Sequence, residues 1–199
     1  FVIKTDDLNL AVSTRVQTIF EDKNKNVWVS IGNDLKRIDP VSKTIIDLPI
    51  EIQNNLQLRR GNVRVIKQSI SGELWFGTEG SGLFRYNPSA HKISQYQHNL
   101  ENPNSLPVNI VRALFQYGNN EIWIGTRDGL CVLNTTNNTF TNYKYDSFDT
   151  RTISHNSIRN ILKDRAGNIW IGTYAGGINF FSAGGNNFSY LGQKSGSRL

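Results

Sequence analysis

The chain has 199 residues, of which 38% are hydrophobic and 11% aromatic, and its 22 basic and 16 acidic side chains give a net charge of +6. This length favours one domain, or two at most. No apolar run approaches the roughly 20 residues of a membrane-spanning helix, and a single cysteine excludes an internal disulfide. The charge weakly favours anionic partners, and because no run of like charge occurs, we expect no nucleic-acid partner.

The four tryptophans, Trp28, Trp75, Trp123 and Trp170, recur at intervals of 47, 48 and 47 residues. Each one follows a polar turn and precedes a glycine-containing loop, and four short apolar segments recur in the same order around it. These segments are rich in β-branched and aromatic residues and are too short for typical helices, so they predict strands. Four strands in each repeat of roughly 45 residues predict an all-β fold of β-propeller blades with four antiparallel strands.

In chain order, residues 1–12 align with the segment from Phe140 and predict the outer strand and linker of a preceding blade. Blades 1 to 4 are then predicted at residues 13–60, 61–107, 108–155 and 156–199. Their first strands are predicted to begin at Val16, Val63, Val111 and Ile158. Blade 4 is predicted to have its own outer strand, so the additional strand at the start of the chain is not needed to complete it. We therefore expect these four blades to be part of a larger ring, and closure of four blades alone is the alternative.

The stretch "DRAGNIWIGTYAGG" at residues 164–177 has the glycine content of a phosphate-binding loop. A phosphate-binding loop opens a helix, whose N-terminus supplies free N–H groups. Here the glycines lead into another strand, and the pattern recurs in the other repeats. The stretch therefore predicts hairpin connections, in which Asp164 bonds the turn backbone and Gly167 takes a positive φ.

The motifs "GNIWIGT" from Gly167, "GLFRYNP" from Gly82 and "NPNSLPVNIVRALF" from Asn102 resemble two-component regulator propeller repeats over nearly all of the chain. Blade 1 departs from the pattern, since Ser30 and Ile31 replace its Gly-Thr pair. The resemblance implies the periplasmic, extracytoplasmic sensor region of a hybrid two-component sensor histidine kinase, anchored in the membrane outside this chain. It also implies seven-bladed rings and a carbohydrate ligand. The chain has no phospho-acceptor histidine box or ATP-binding glycine boxes, so we expect no catalytic residue, metal or cofactor in it.

Three sets of residues are candidates for binding a ligand. The first set follows the opening aliphatic residue of each first strand, where guanidinium groups can bind carboxylate or sulfate or brace the neighbouring blade: Arg64, Arg112 and Arg159. The second set is the variable position after Gly-Thr, which suits a recognition surface or a solvated loop tip: Glu79, Arg127 and Tyr174. The third set precedes the first strand and can equally satisfy turn amides: Asn109 and Asn156. The tryptophans are expected to pack between blades.

Three functions remain open for such a chain. The first is a sensor that binds an oligosaccharide or another polar or anionic ligand. The second is a protein-interaction scaffold, with a homodimer formed through an open sheet edge. The third is a propeller enzyme, either of sialidase type or of lyase type, and for the lyase type His155 is the plausible catalytic residue. Cys131 is expected to be a small buried or half-buried side chain in a third strand.

Overall fold

The computed structural model describes residues 15–183, 185 and 188–191 of the chain. These residues form four sheets of four strands, and the strands of every sheet follow one another in sequence order. The chain divides into two compact units, Phe1–Gln95 and Tyr96–Leu199. The predicted all-β fold of four-stranded antiparallel blades is confirmed. The strand predicted within residues 1–12 lies outside the described residues.

The first unit holds two sheets, which we call blades 1 and 2. Blade 1 consists of β1 (Val16–Glu21), β2 (Val27–Ile31), β3 (Asp34–Asp39) and β4 (Thr44–Ile46). Blade 2 consists of β5 (Val63–Gln68), β6 (Leu74–Thr78), β7 (Leu83–Asn87) and β8 (Lys92–Tyr96), whose last residue is the first of the second unit.

The second unit holds blades 3 and 4. Blade 3 consists of β9 (Val111–Tyr117), β10 (Glu121–Thr126), β11 (Gly129–Asn134) and β12 (Thr139–Tyr143). Blade 4 consists of β13 (Ile158–Lys163), β14 (Ile169–Thr173), β15 (Ile178–Phe181) and β16 (Phe188–Leu191). All four first strands begin at the residues that the sequence predicts.

Two short helices, α1 (Ile50–Asn54) and α2 (Leu56–Arg59), connect blade 1 to blade 2, and the sequence analysis did not predict them. The side chain of Asn55 caps α2 by accepting a hydrogen bond from the Leu58 amide at 2.9 Å. Ile52 and Leu58 are fully buried, in the same core cluster as Trp28. Packing therefore stabilises helices too short to be recognised by periodicity. Within the described residues, no helix is long and apolar enough to cross a membrane.

Two of the four tryptophans, Trp28 and Trp123, pack as predicted where two blades of one unit meet. In the first unit, Trp28 of blade 1 is 1% exposed, and its ring centroid lies 5.7 Å from that of Phe76 of blade 2. In the second unit, Trp123 of blade 3 lies 5.4 Å from the ring of Phe181 of blade 4, in an edge-to-face arrangement. Trp75 is also buried, whereas Trp170 is half-buried and contacts Phe180 of its own sheet.

The polar turns before the tryptophan strands are held by aspartates in blades 1 and 4. The carboxylate of Asp164 accepts hydrogen bonds from the Asn168 amide and the Trp170 indole N–H, both at 2.9 Å. These donors, the indole first, lower the pKa of Asp164 to about 2. Gly167 has a φ of +92°. The predicted roles of Asp164 and Gly167 in a turn are confirmed, and Asp22 holds Trp28 in the same way at 2.8 Å.

Candidate functional site

The candidate arginines occupy one recurring irregularity of the fold. Each first strand carries a β-bulge close to its start, where its register with the second strand shifts by one residue. The residues left without a partner strand residue at these bulges are Gln17, Arg64, Arg112 and Arg159. A bulge turns a side chain away from the regular alternation of the strand. In every blade, the side chain at the bulge therefore departs from the alternating directions of its neighbours on the strand.

In the first unit the bulge arginine makes contacts within the protein. The Nη1 of Arg64 donates to Oε1 of Gln17 in blade 1 at 2.8 Å. Its Nε lies 2.9 Å from Oε2 of Glu79, at an angle that makes the contact an ion pair without hydrogen-bond geometry. Two candidate residues of the first and second sets thus neutralise each other. This arrangement favours the bracing role for Arg64.

In the second unit the two bulge arginines differ. The Nη1 of Arg112 donates to the Ser157 hydroxyl of blade 4 at 3.3 Å, which again joins two blades. Arg159 is exposed, and its guanidinium carbon lies 4.6 Å from the ring centroid of Tyr174. The structure therefore brings one arginine of the first set against one aromatic residue of the second set on a solvent-facing surface.

The backbone of the second candidate position is fixed, although its side chain varies. The amides of Glu79, Arg127 and Tyr174 donate to the carbonyls of Asn62, Ile110 and Ser157 at 3.2, 3.1 and 2.8 Å. The preceding threonine hydroxyls donate to glycine carbonyls across the same loops, at 2.8 to 2.9 Å. The recurring Gly-Thr pair is therefore a loop-closing device, and the side chain that follows it is free to differ. Arg127 is exposed and is not among the residues that line the cleft described below.

The two candidate asparagines bind backbone groups. The Oδ1 atoms of Asn109 and Asn156 accept hydrogen bonds from the amides of His98 and Tyr145, each at 2.7 Å. Each pair closes one of two equivalent loops, residues 98–109 before β9 and 145–156 before β13, and in each loop one apolar side chain, Leu106 or Ile153, is fully buried. These contacts favour the role of satisfying turn amides.

A cleft of about 460 Å³ opens at blade 4, within the second unit. We call it the loop cleft. One side is the loop before β13, which supplies Tyr145, Asp146, Ser147, Asp149, Thr150, Thr152, Ile153, Ser154 and His155; the other side is formed by Ala175, Gly176 and Tyr190. Tyr174 is not itself a lining residue, but it adjoins Ala175 in the chain and is 67% exposed. The Arg159 guanidinium lies against the Tyr174 ring.

A buried asparagine positions the loop cleft. Asn179 on β15 is fully buried; its Oδ1 accepts from the Ser154 amide at 2.8 Å, and its Nδ2 donates to the Ser154 hydroxyl at 3.0 Å. Sequence reasoning missed Asn179. The sequence does contain a signal for it, because the residues equivalent to Asn179 in blades 2 and 3 are the apolar Phe84 and Cys131. A polar residue at a buried third-strand position is expected to bond something specific.

Close contact between the two walls also shapes the cleft. A Cβ atom on Gly176 would lie 2.6 Å from the Cβ of His155 and 2.7 Å from the Ser154 carbonyl oxygen. Glycine is therefore required at position 176 for the walls to meet. The His155 ring lies 6.5 Å from that of Tyr174, and its Nδ1 accepts from the Ser157 amide at 2.9 Å.

The loop cleft offers hydroxyl groups and aromatic faces more than charge. Its carboxylates are already engaged: Asp146 accepts from the Phe148 amide at 2.8 Å, and Arg151 pairs with Asp149 and lowers the pKa of that carboxyl. Tyr145 is 50% exposed, and the loop adds the hydroxyls of Ser147 and Thr150. Such a surface suits a polyhydroxylated ligand, and Arg159 can bind one anionic group at its edge.

Among the described residues, we find neither a reactive cysteine nor a cluster of metal-binding side chains. Cys131 is fully buried, and burial raises its pKa to about 12, which suppresses the nucleophilic thiolate. Among the residues with described placement, no group of three or more His, Cys, Asp or Glu side chains is arranged to hold a metal ion.

Comparison with known proteins finds a family model that matches two of the repeats. A family model described as two component regulator propeller matches residues 105–128 and 152–175, which run from the end of each equivalent loop through the first two strands of the blade. Histidine kinase P4 of Formosa agariphila is 32% identical over 114 residues, which are 56% of this chain and 8% of that protein.

Two solved structures from B. thetaiotaomicron, both extracellular domains of hybrid two-component systems, have the same fold. One has a TM-score of 0.69 at 22% identity, over 92% of this chain and 23% of the other. The second has a TM-score of 0.65 at 26% identity, over 90% and 22%. This chain thus spans under a quarter of each relative. Residues 105–128 and 152–175 match the two-component regulator propeller repeat, which confirms the resemblance seen in the sequence.

Proposed function

We propose that this chain is a segment of the extracytoplasmic, periplasmic sensor region of a two-component sensor histidine kinase, and that its loop cleft binds an oligosaccharide. The repeat family and the histidine kinase relative support the sensor role. The extracellular domains among its structural relatives support the location. Anchoring of the parent protein in the membrane, outside this chain, is part of the proposal.

The single observation that carries the choice of ligand is the composition of the loop cleft. Exposed tyrosine rings lie beside several hydroxyls, and the carboxylates of the loop are paired with backbone or with Arg151. Aromatic faces bind the apolar faces of sugar rings, while hydroxyl groups exchange hydrogen bonds with sugar hydroxyls. The Arg159 guanidinium extends the range of ligands to sugars that carry a carboxylate or sulfate.

We infer that signalling depends on the two loops that form the cleft. A ligand that contacts both Tyr145 and Ala175 bridges the segment before β13 and the segment between β14 and β15. Such a ligand stabilises one arrangement of these loops over others. A ligand shifts an equilibrium only by its differential affinity for the two states, so contacts to both walls are what a sensor requires.

The test is calorimetric titration of the chain with neutral and anionic oligosaccharides. We expect Tyr174→Ala to weaken binding of every oligosaccharide that binds, and Arg159→Ala to weaken anionic ones selectively. Arg165→Ala is the matched control, because Arg165 is also exposed on blade 4 but lies in the turn before β14. Absence of binding across the panel, or equal effects of Arg159→Ala and Arg165→Ala, would contradict the assignment.

A protein-interaction scaffold is the second candidate, and one observation favours it. The tips of the two equivalent loops expose large apolar side chains, with Leu100 at 90% and Phe148 at 98% exposure. Exposed apolar residues on ordered loops can serve as contacts for a protein partner or for a homodimer. Sizing of the chain against its Phe148→Ser variant tests the homodimer directly, since loss of a dimer in that variant would assign the tip to self-association.

A further inference from the structure

Blade 2 contains an arginine held between a carboxylate and an indole. The Nη2 and Nε of Arg85 lie 2.7 and 3.0 Å from Oε1 of Glu73, and the guanidinium carbon lies 5.4 Å from the ring centroid of Trp75. The Nδ2 of Asn87 donates to the same carboxylate oxygen at 3.1 Å. Both nitrogens of one edge of the guanidinium thus bind the carboxylate while its face lies over an aromatic ring.

Blade 3 has the same residue types at the equivalent positions, except for the arginine. Glu121, Trp123 and Asn134 stand at the positions of Glu73, Trp75 and Asn87. In blade 2 the strand pairing sets Trp75 opposite Arg85, whereas in blade 3 it sets Trp123 opposite Val132. The carboxylate, the indole and the amide are therefore retained, and the cation between them is replaced by a short apolar side chain.

The other two blades also place a planar side chain opposite the tryptophan. In blade 1 the residue opposite Trp28 is Arg37, whose guanidinium carbon lies 5.7 Å from the ring centroid. In blade 4 the residue opposite Trp170 is Phe180, at 4.8 Å between ring centroids. Val132 thus leaves space in blade 3 that planar groups take in the other three blades.

That space is open to solvent. A cleft of about 450 Å³, which we call the outer cleft, is lined in part by Tyr117, Glu121, Trp123, Val132, Asn134 and Tyr143. Among the described residues its lining contains no basic side chain and one carboxylate, that of Glu121, which accepts a hydrogen bond from the Trp123 indole N–H at 3.4 Å. The Tyr117 and Trp123 rings lie 5.4 Å apart with 31° between their planes, and the Lys163 ammonium, which is not among the lining groups, lies 5.8 Å from the Tyr117 ring.

We propose that the outer cleft binds an alkylguanidinium group at the place that Arg85 takes in blade 2. The Glu121 carboxylate accepts two parallel N–H groups, and the aromatic rings of Tyr117 and Trp123 lie against the flat cation. Guanidinium suits this site better than ammonium because it is planar and presents its donors as a fork. This site is separate from the loop cleft and does not depend on the proposed sensing of oligosaccharides.

The experiment is titration of the 199-residue chain with ethylguanidinium, followed by the NMR signals of the four indole N–H groups. Ethylurea is the matched neutral probe, since it has nearly the same shape without the charge. We expect ethylguanidinium to shift the Trp123 indole signal saturably and ethylurea to leave it unchanged. N-acetylarginine methylamide distinguishes the sources of the group: binding at least as tight as that of ethylguanidinium indicates an arginine side chain of a polypeptide, and weaker binding a small guanidino compound.

Three variants test the placement. Glu121→Gln should weaken ethylguanidinium binding about tenfold or more, because a charge-assisted pair is lost. Glu101→Gln, an exposed acid outside the cleft, should leave it unchanged. Val132→Arg should abolish binding by supplying the internal guanidinium of blade 2, with a thermal midpoint no lower than that of the wild type.

Val132→Arg tests the same site without changing Glu121, so the proposal can still be decided if Glu121→Gln does not fold. Equal binding of ethylurea and ethylguanidinium would overturn the proposal. So would unchanged affinity in Glu121→Gln, or wild-type affinity in a folded Val132→Arg variant.

Discussion

Gly125 and Gly172 precede the recurring threonine in β10 and β14, and the same substitution at these two positions is expected to have opposite effects. A Cβ on Gly125 would lie 2.6 Å from Cγ2 of Ile158 and 2.9 Å from the Cβ of Ala113. Ile158 opens the first strand of blade 4 and is fully buried. The added methyl group would therefore enter the packed contact between blades 3 and 4.

The size of each effect follows from these distances. Contacts under 3.0 Å with the buried Ile158 require the two blades to shift, and overpacking of this kind costs about 1–3 kcal/mol. A Cβ on Gly172 would meet only the Cβ of Asn160, at an ordinary 3.9 Å. There the change to alanine removes backbone freedom from the unfolded chain and stabilises by roughly 0.4–1 kcal/mol. Gly125→Ala should thus destabilise and Gly172→Ala should stabilise.

Urea unfolding followed by tryptophan fluorescence and by circular dichroism measures both effects. The midpoints should move in opposite directions around that of the wild type, with unchanged slopes. If Gly125→Ala unfolds at the wild-type urea concentration or above it, or if both variants shift equally in one direction, the close approach of blades 3 and 4 at Gly125 is wrong.

Three further outcomes follow from the same structure. Hydrogen bonds from Trp170 and Asn168 lower the pKa of Asp164 from 3.8 to about 2, so the stability that this carboxylate contributes is present above pH 4 and is lost as the pH falls toward 2. The thermal unfolding midpoint of Asp164→Asn should therefore depend less on pH in that window than the midpoint of the wild type. A titration midpoint of Asp164 near 3.8, measured by carboxyl NMR, would refute this. Burial, which raises the pKa of Cys131 to about 12, should keep the thiol unreactive toward a disulfide reagent until denaturant is added; rapid labelling of the folded chain would contradict the buried placement. Asn179→Ala should cost about 1–3 kcal/mol in unfolding free energy, since it leaves the Ser154 amide without its partner; a matched loss in Asn142→Ala, whose bonds lie in the equivalent region of blade 3, would show that the effect is not special to the loop cleft.

The repeating unit of this protein could be predicted from its amino-acid sequence. The spacing of the four tryptophans and the turn residues before them predict where strands begin and which residues are equivalent, because strand alternation and turn chemistry are local properties. The same regularity places Asp164 and Gly167 correctly. It also indicates that the indoles pack between blades, since a side chain that recurs once in every repeat serves the contact that every repeat makes.

The different contacts that equivalent residues make became visible in the folded protein alone. Arg64, Arg112 and Arg159 share one bulge, yet Arg64 faces Glu79, Arg112 faces Ser157 and Arg159 faces an exposed tyrosine ring. The short helices after blade 1, the bond from Asn179 to Ser154 and the space opposite Trp123 depend on contacts between residues far apart in the chain. Local sequence preferences carry no information about such partners, because burial and pairing are set by the neighbours that packing supplies.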